Sequence, residues 1–367
     1  MADKVVSQES IKSPNPVRVM VVDDSAFMRF AITQQLNADP DLQVVGTASN
    51  GKEALLLIPQ MKPDVITLDV EMPHLDGLST LREIMKNFPR PVIMFSSLTK
   101  EGAAETIQAL MLGAVDFIAK PDNRLDIRSE MGDIAVKIKQ AAKAKVKSTA
   151  ALASRKLPSD SPKSNKPEKP VRPYRKNTPV ILIGSSTGGP GALNEIIPAL
   201  PANLSSPVMI VQHMPSGFTR SLAERLNSIS PLKVKEAEPG DQLMVGQILL
   251  APGGFHMILD DNEQVVLNQK PTVHGVRPSV DVTLNSVIQR FGKNVVAVIL
   301  TGMGSDGTLG AKILHSAGGH VIAEHESTCV VWGMPRSVVE AGAASEILPR
   351  PQIAKAIEAA IRDMVIN

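Results

Sequence analysis

Two doubly wound α/β domains joined by a linker are what this 367-residue sequence predicts, on three observations. Short β-branched apolar runs alternate with amphipathic stretches from Val17 to about residue 145. Composition then turns to Lys, Pro and Ser over residues 146–178, and the alternation resumes at Val180. Strand–helix alternation of this kind gives a parallel sheet with helices on both faces, and the length exceeds the usual single-domain size. The predicted division is therefore a tail (1–16), a first domain (17–145), a basic linker (146–178) and a second domain (179–367).

Composition narrows the function classes. A hydrophobic share of 43% and a charged share of 21% are those of an ordinary soluble protein. The start, MADKVVSQES, lacks the apolar core of a secretory signal, and no apolar run approaches membrane-spanning length. A cytoplasmic protein without membrane insertion is expected. Cys329 is the only cysteine, which excludes an intramolecular disulfide and a cysteine-based zinc site. Residues 143–178 hold eleven Lys/Arg against Asp160 and Glu168, so this stretch carries +9 of a net +2 and the rest carries −7. Mildly acidic folded parts argue against a nucleic-acid partner.

Residues 1–16 are polar and aperiodic, which predicts a disordered tail. Strands are then predicted at Val17–Val22, Val44–Ala48, Val65–Leu68, Pro91–Phe95 and Ala114–Ile118. Helices are predicted at Phe27–Leu36, Lys52–Gln60, Leu78–Asn87, Glu105–Leu112 and Leu125–Ala144. Ligands of such sheets bind beyond the carboxyl ends of the strands, which here carry Asp23-Asp24, Asp69, Ser96 and Lys120. Three carboxylates on one rim repel unless a cation sits among them, and hard oxygen ligands suit Mg²⁺. A carboxylate beside Mg²⁺ can take up a phosphoryl group. Asp69, ending the central strand, is the better candidate, with Ser96 hydrogen-bonding a phosphoryl oxygen and Lys120 neutralising another.

VVDDS, LDVEMPHLDG, MFSS and FIAKP, in this order, resemble a response-regulator receiver domain over residues 17 to about 140. The resemblance implies Asp69 as phosphoacceptor, Asp23 and Asp24 as Mg²⁺ ligands, Ser96 as hydroxyl switch, Lys120 as the phosphate-pairing base and Phe117 as the switching aromatic. It departs from many receivers in that Phe117 lacks a hydroxyl.

The linker, about 33 flexible residues, has a reach of roughly 30 Å. Past it, the apolar run Val180–Ile183 stops at a glycine-rich turn, and Pro190 followed by Leu193, Ile196 and Ile197 reads as a helix start. Gly184-Ser185-Ser186-Thr187-Gly188 fits G-x-S-x-G, the spacing that lifts a serine hydroxyl out of a strand-to-helix corner. Further strands and helices alternate to the C-terminus, with a hairpin predicted around Asp260-Asp261-Asn262.

Of seven histidines, only His213 closes an apolar strand beside the serine turn; His256 follows a glycine loop and is a second candidate to line a cleft. A serine needs a base, and the imidazole in turn needs a carboxylate to fix its tautomer. Asp306, in Thr301-Gly-Met-Gly-Ser-Asp-Gly307, occupies a third strand end. Asp281 is the rival acid, but it reads as a first-turn helix charge. No Walker lysine is present in the second domain to favour nucleotide binding, and no basic recognition helix follows the linker.

GSSTGG, VQHMP, APGGFHM, VRPSVDV and TGMGSDG resemble the catalytic domain of the chemotaxis protein-glutamate methylesterase family, with a Rossmann-like fold. The resemblance implies Ser186 as nucleophile, His213 as general base, Asp306 as orienting acid, and the backbone N–H groups of Thr187 and Met303 as oxyanion donors. It implies glutamyl γ-methyl esters of a methyl-accepting chemoreceptor as substrate, glutamine deamidation as a related activity, and a chemotaxis histidine kinase as phosphodonor. The esterase needs no cofactor on this reading.

Overall fold

The computed structural model describes residues 15–97, 99–120, 134–146, 169–175 and 177–366. The predicted tail up to residue 14, the linker from 147 to 168 and the first part of the predicted helix over 125–144 lie outside the described residues. By contacts the described residues fall into two compact units, one of 15–97, 116–120 and 134–146, the other of 99–115, 169–175 and 177–366.

The first sheet has five strands, β1 (Val17–Val22), β2 (Leu42–Ala48), β3 (Val65–Asp69), β4 (Val92–Ser96) and β5 (Asp116–Ala119), in the order 2-1-3-4-5. All four pairings are parallel. Every residue of β3 and β4 is buried, which is why these runs lack alternation: a strand covered on both faces needs apolar side chains at every position. The helices between them in the chain are α1 (Ala26–Asn37), α2 (Gly51–Met61), α3 (Gly77–Asn87) and α4 (Lys100–Leu112), the last counted by contacts with the second unit, and α5 (Ile134–Ala141) follows β5. Ser25, Asn50, Asp76 and Thr99 cap the first four through side-chain oxygens that accept from the N–H three residues on. The order reverses at β1/β3, which brings the ends of those two strands together as the ligand-binding rule for open sheets requires.

The second unit holds a seven-stranded, wholly parallel sheet. Its strands are β7 (Val180–Ser185), β8 (Val208–Gln212), β9 (Lys233–Glu236), β11 (Gln247–Leu250), β14 (Val295–Ile299), β15 (His320–Glu324) and β16 (Glu346–Leu348), in the order 16-15-14-7-8-11-9. On one face Val180 and Leu182 join Met209, Leu249, Val280, Leu284 and Ala297 in a core. Ile181 and Ile183, pointing the other way, are equally buried. Helices α6 (Gly189–Ile196), α7 (Phe218–Ile229), α8 (Val280–Phe291), α9 (Thr308–Ser316), α10 (Met334–Glu340) and α11 (Arg350–Ile366) belong to this unit. The predicted hairpin is present as β12 (His256–Leu259) paired antiparallel with β13 (Val265–Asn268).

One boundary needs correction. The last part of the stretch read as linker is folded: β6 (Arg172–Pro173) pairs antiparallel with β10 (Met244–Val245). Ahead of it the Lys169 ammonium donates to the Asn227 carbonyl, the Asn227 side chain at 2.9 Å and the Leu232 carbonyl at 3.0 Å. Residues 169–175 are therefore joined to the second unit, ahead of the limit expected at 179. Lys, Pro and Arg look like linker in composition, but a lysine with three acceptors is an anchor.

Candidate functional site

In the first unit, β1 and β3 are neighbours with Val22 opposite Leu68, so Asp23 and Asp69 emerge side by side. Both are buried, whereas Asp24 is exposed. Lys120, following β5, reaches across with its ammonium 2.6 Å from Asp69 Oδ2 and 3.1 Å from Asp23 Oδ2. Burial, reinforced by the charge of Asp23 and only partly offset by Lys120, pushes Asp69 up to about 7. Burial also pulls on Lys120, but the two carboxylates outweigh it and leave its pKa raised. Ser96 is buried at the end of β4. Phe117 is buried on β5, with the Lys137 ammonium 5.6 Å from its ring centre.

This rim fits a divalent cation. Asp23, Asp24 and Asp69 bring carboxylate oxygens within 4.8 Å of one another. Asp23 Oδ2 is buried, with the Lys120 ammonium 3.1 Å away as its charged neighbour. A hard cation would satisfy that oxygen.

In the second unit, β7 lies between β8 and β14, so the turns that end these three strands share one rim. Ser185 pairs with Gln212, which sets Ser186 and His213 one residue past the ends of adjacent strands. Ser186 is fixed through its backbone. Its N–H donates to the Thr301 carbonyl at 3.1 Å, and its own carbonyl accepts from Gly189 at 2.8 Å. Among the described residues its hydroxyl makes no hydrogen bond. His213 is largely buried and joins Asp306 through Nε2 at 2.7 Å, which leaves Nδ1 for a second partner.

Asp306 is 1% exposed and takes five donors. Oδ2 accepts from His213 at 2.7 Å and Val280 N at 2.6 Å. Oδ1 accepts from Ser279 Oγ at 2.8 Å, Asp281 N at 3.0 Å and Gly307 N at 3.0 Å. Two of these are the otherwise unpaired first amides of α8, so the carboxylate also caps that helix. Burial would raise its pKa, but the His213 hydrogen bond and charge and the backbone donors prevail and hold it below the usual carboxylate range. Asp281 turns away from His213 to accept from His274 at 3.1 Å and Gly310 N at 2.7 Å, and burial raises it. His274, Asp281 and Asp306 also approach within 4.8 Å, but their acceptors are already engaged by these donors.

The loop from Thr301 to Gly307 lies against the nucleophile turn. Gly302 has no room for a side chain: a Cβ there would sit 2.8 Å from Ser186 Cβ and 2.4 Å from Met334 Sδ. Met303 makes no backbone hydrogen bond through its N–H among the described residues. Thr187, at the turn into α6, offers its carbonyl to Thr301 Oγ1 at 3.0 Å.

Two supporting residues escaped the sequence reading. Glu324, fully buried at the end of β15, accepts from Thr301 N at 2.8 Å and from Arg350 Nε at 3.0 Å. Gln212 lies beneath Ser186 and His213. An acid closing the strand next to β14 was visible to the same strand-end rule that found Asp306. His256, a candidate to line the cleft, is instead buried in the hairpin with Nε2 3.1 Å from the Pro271 carbonyl.

The CheB methylesterase family matches residues 181–357, and the response regulator receiver domain family matches residues 19–131. The chain is 51% identical over 352 residues to the protein-glutamate methylesterase/protein-glutamine glutaminase of Symbiobacterium thermophilum, covering 94% of this chain and 97% of that one. It is 47% identical over 348 residues to the protein of the same name from Archaeoglobus fulgidus, covering 93% and 97%. Among solved structures it is similar to the Thermotoga maritima CheB methylesterase catalytic domain, at 49% identity and a TM-score of 0.48, over 50% of this chain and 97% of that one. Among the described residues no helix is long and apolar enough to cross a membrane.

Proposed function

The chain belongs to the CheB methylesterase family, with a receiver domain ahead of the esterase domain, and from that premise we propose how its residues divide the work. The protein hydrolyses glutamyl γ-methyl esters of a methyl-accepting chemoreceptor and deamidates glutamines, under control of phosphorylation, for adaptation in chemotaxis. Ser186 is the nucleophile, His213 the base and Asp306 the acid that orients it.

The single observation that carries the reading is the 2.7 Å His213–Asp306 pair, with Asp306 held ionised by four further donors and Ser186 at the neighbouring strand end. Because Nε2 faces Asp306, Nδ1 is the atom that takes the Ser186 proton. As the serine Oγ–carbon bond forms, the carbonyl electron pair moves to oxygen, which the N–H groups of Thr187 and Met303 stabilise. One such donor is worth roughly 3 kcal/mol. The tetrahedral species collapses with loss of methanol, or of ammonia from glutamine, and the imidazolium returns the proton to the leaving group. Water, deprotonated by the same imidazole, then releases the glutamate and restores Ser186.

In the receiver, Asp69 accepts a phosphoryl group from a histidine kinase: an Asp69 oxygen–phosphorus bond forms as the phosphorus–nitrogen bond of the donor breaks. Asp23, Asp24 and Asp69 would hold Mg²⁺, which when bound offsets the charge of the incoming phosphoryl. Lys120 pairs with a phosphoryl oxygen, Ser96 hydrogen-bonds another, and Phe117 reports the change. The domain limits of the sequence reading stand in this proposal except that the esterase begins near Lys169.

The test is methanol release from methylated receptor by the full chain. Wild type should release it, faster with Mg²⁺ and a small acyl-phosphate donor. Ser186→Ala should lose at least about 10⁴-fold in kcat. Full activity in Ser186→Ala would overturn the assignment, and activation that persists in Asp69→Asn would overturn the phosphoacceptor.

A further inference from the structure

The parallel ladder between β7 and β8 ends with the His213 N–H donating to the Ser185 carbonyl at 3.0 Å. Beyond it the two chains part, one into α6 and the other toward α7, although the reacting side chains lie just there. Gln212 spans the gap. The residue is 2% exposed; its Oε1 accepts from Ser185 Oγ at 2.6 Å, and Nε2 donates to the Ser186 carbonyl at 2.9 Å and the His213 carbonyl at 3.0 Å. Both amide hydrogens are used, and the two carbonyls and one hydroxyl admit only this orientation of the amide. Gly189 leaves the space for it, since a Cβ there would sit 2.1 Å from Gln212 Oε1.

We infer that Gln212 is a positioning residue of the esterase: its carboxamide ties the Ser186 and His213 backbones together beyond the last rung of the ladder and so sets the approach of imidazole to hydroxyl. The inference rests on reading Ser186 as nucleophile and His213 as base. A carboxamide does this better than an apolar residue of equal volume because each carbonyl is held along a directed hydrogen bond in a buried place. It takes no part in the bond changes. An error of about 1 Å between reacting groups costs on the order of 10²-fold in rate, and that sets the scale of the effect.

The experiment compares full-length wild type, Gln212→Met, Ser185→Ala and Ser186→Ala. It measures kcat and KM on methylated receptor, the rate of Ser186 labelling by a fluorophosphonate, and the thermal midpoint. Gln212→Met should lower kcat about 10- to 100-fold with KM within about threefold, and slow labelling by a similar factor. Ser185→Ala, which frees Oε1 but leaves both donors, should fall about three- to tenfold in both rates. Should Gln212→Met not fold, Ser185→Ala alone decides. A Gln212→Met protein that melts lower yet keeps kcat and labelling within twofold of wild type would overturn the inference, as would an unaffected Ser185→Ala. An active Ser186→Ala instead removes the nucleophile reading beneath it, so the two failures are told apart.

Discussion

Asp69 and Asp306 are both buried aspartates at the carboxyl edge of a parallel sheet, yet burial prevails over one and not over the other. Asp69 accepts one backbone N–H, from Glu71 at 3.3 Å, and shares Lys120 with a neighbouring carboxylate. Its pKa lies at about 7. Asp306 takes five donors and, among the described residues, shares its histidine with no other carboxylate; its pKa falls below the usual 3.8. Donor number, rather than depth, decides what a buried carboxylate can do. The under-supplied one remains available to a cation or a phosphoryl group. The saturated one is a fixed negative charge that serves its histidine and stays out of covalent chemistry.

Breaking the saturated side of this contrast has the largest expected effect. Asp306→Asn keeps the shape but offers an amide where acceptors are needed, and kcat should fall about 10³- to 10⁴-fold. It also has a stability signature. A carboxylate whose native pKa is depressed stabilises the fold above its unfolded value, and that contribution is lost as pH falls through the native one. The gap in unfolding free energy between wild type and Asp306→Asn should therefore narrow from pH 5 toward pH 2 in urea titrations; a constant gap would mean that Asp306 is not held ionised.

Glu324 tests whether supply from a cation works as well as supply from amides. Its partner Arg350 is also bonded to Glu195 at 2.9 Å. Removing one member of a buried pair typically costs 3–5 kcal/mol, roughly, and Glu324→Ala should lose about that in urea unfolding while also loosening Thr301. A loss under about 1 kcal/mol would show that Glu195 suffices for Arg350.

The smallest effect, and the one of opposite sign, belongs to Asp69. With its native pKa raised to about 7, it favours the fold below its unfolded value of 3.8 and loses that contribution as pH rises toward 7. Without Mg²⁺ at pH 8, Asp69→Asn should melt a few degrees, roughly, above wild type. Mg²⁺ should close the difference by stabilising wild type more. A variant that melts lower at pH 8 would contradict the under-supply of Asp69.

Both sheets were legible because fully buried strands write themselves as apolar runs. Val180–Ile183 could hardly be anything else; Val295–Ile299 is as apolar and as fully buried, and α8 starts directly behind its Ser279 cap. The strand-end rule also reached Asp23, Asp69, Ser96, Ser186 and His213, since each follows or closes such a run. What it missed depends on distant partners. The identity of Ser185 says nothing of Gln212, 27 residues away. The five donors of Asp306 come from His213, Ser279, Val280, Asp281 and Gly307, and only the last is its chain neighbour. Arg172–Pro173 has no strand character of its own; it is a strand because Met244–Val245 pairs with it.

That short pairing bears on how the catalytic half can be cut free. A polypeptide begun at residue 181, where the family match starts, would lack Lys169 and leave the carbonyls of Asn227 and Leu232 bare. It would also strip the partner strand from Met244–Val245, opening an edge at which other molecules can stick. Poor solubility or early melting of such a truncation would then report a severed strap, and moving the cut upstream of Lys169 should cure it.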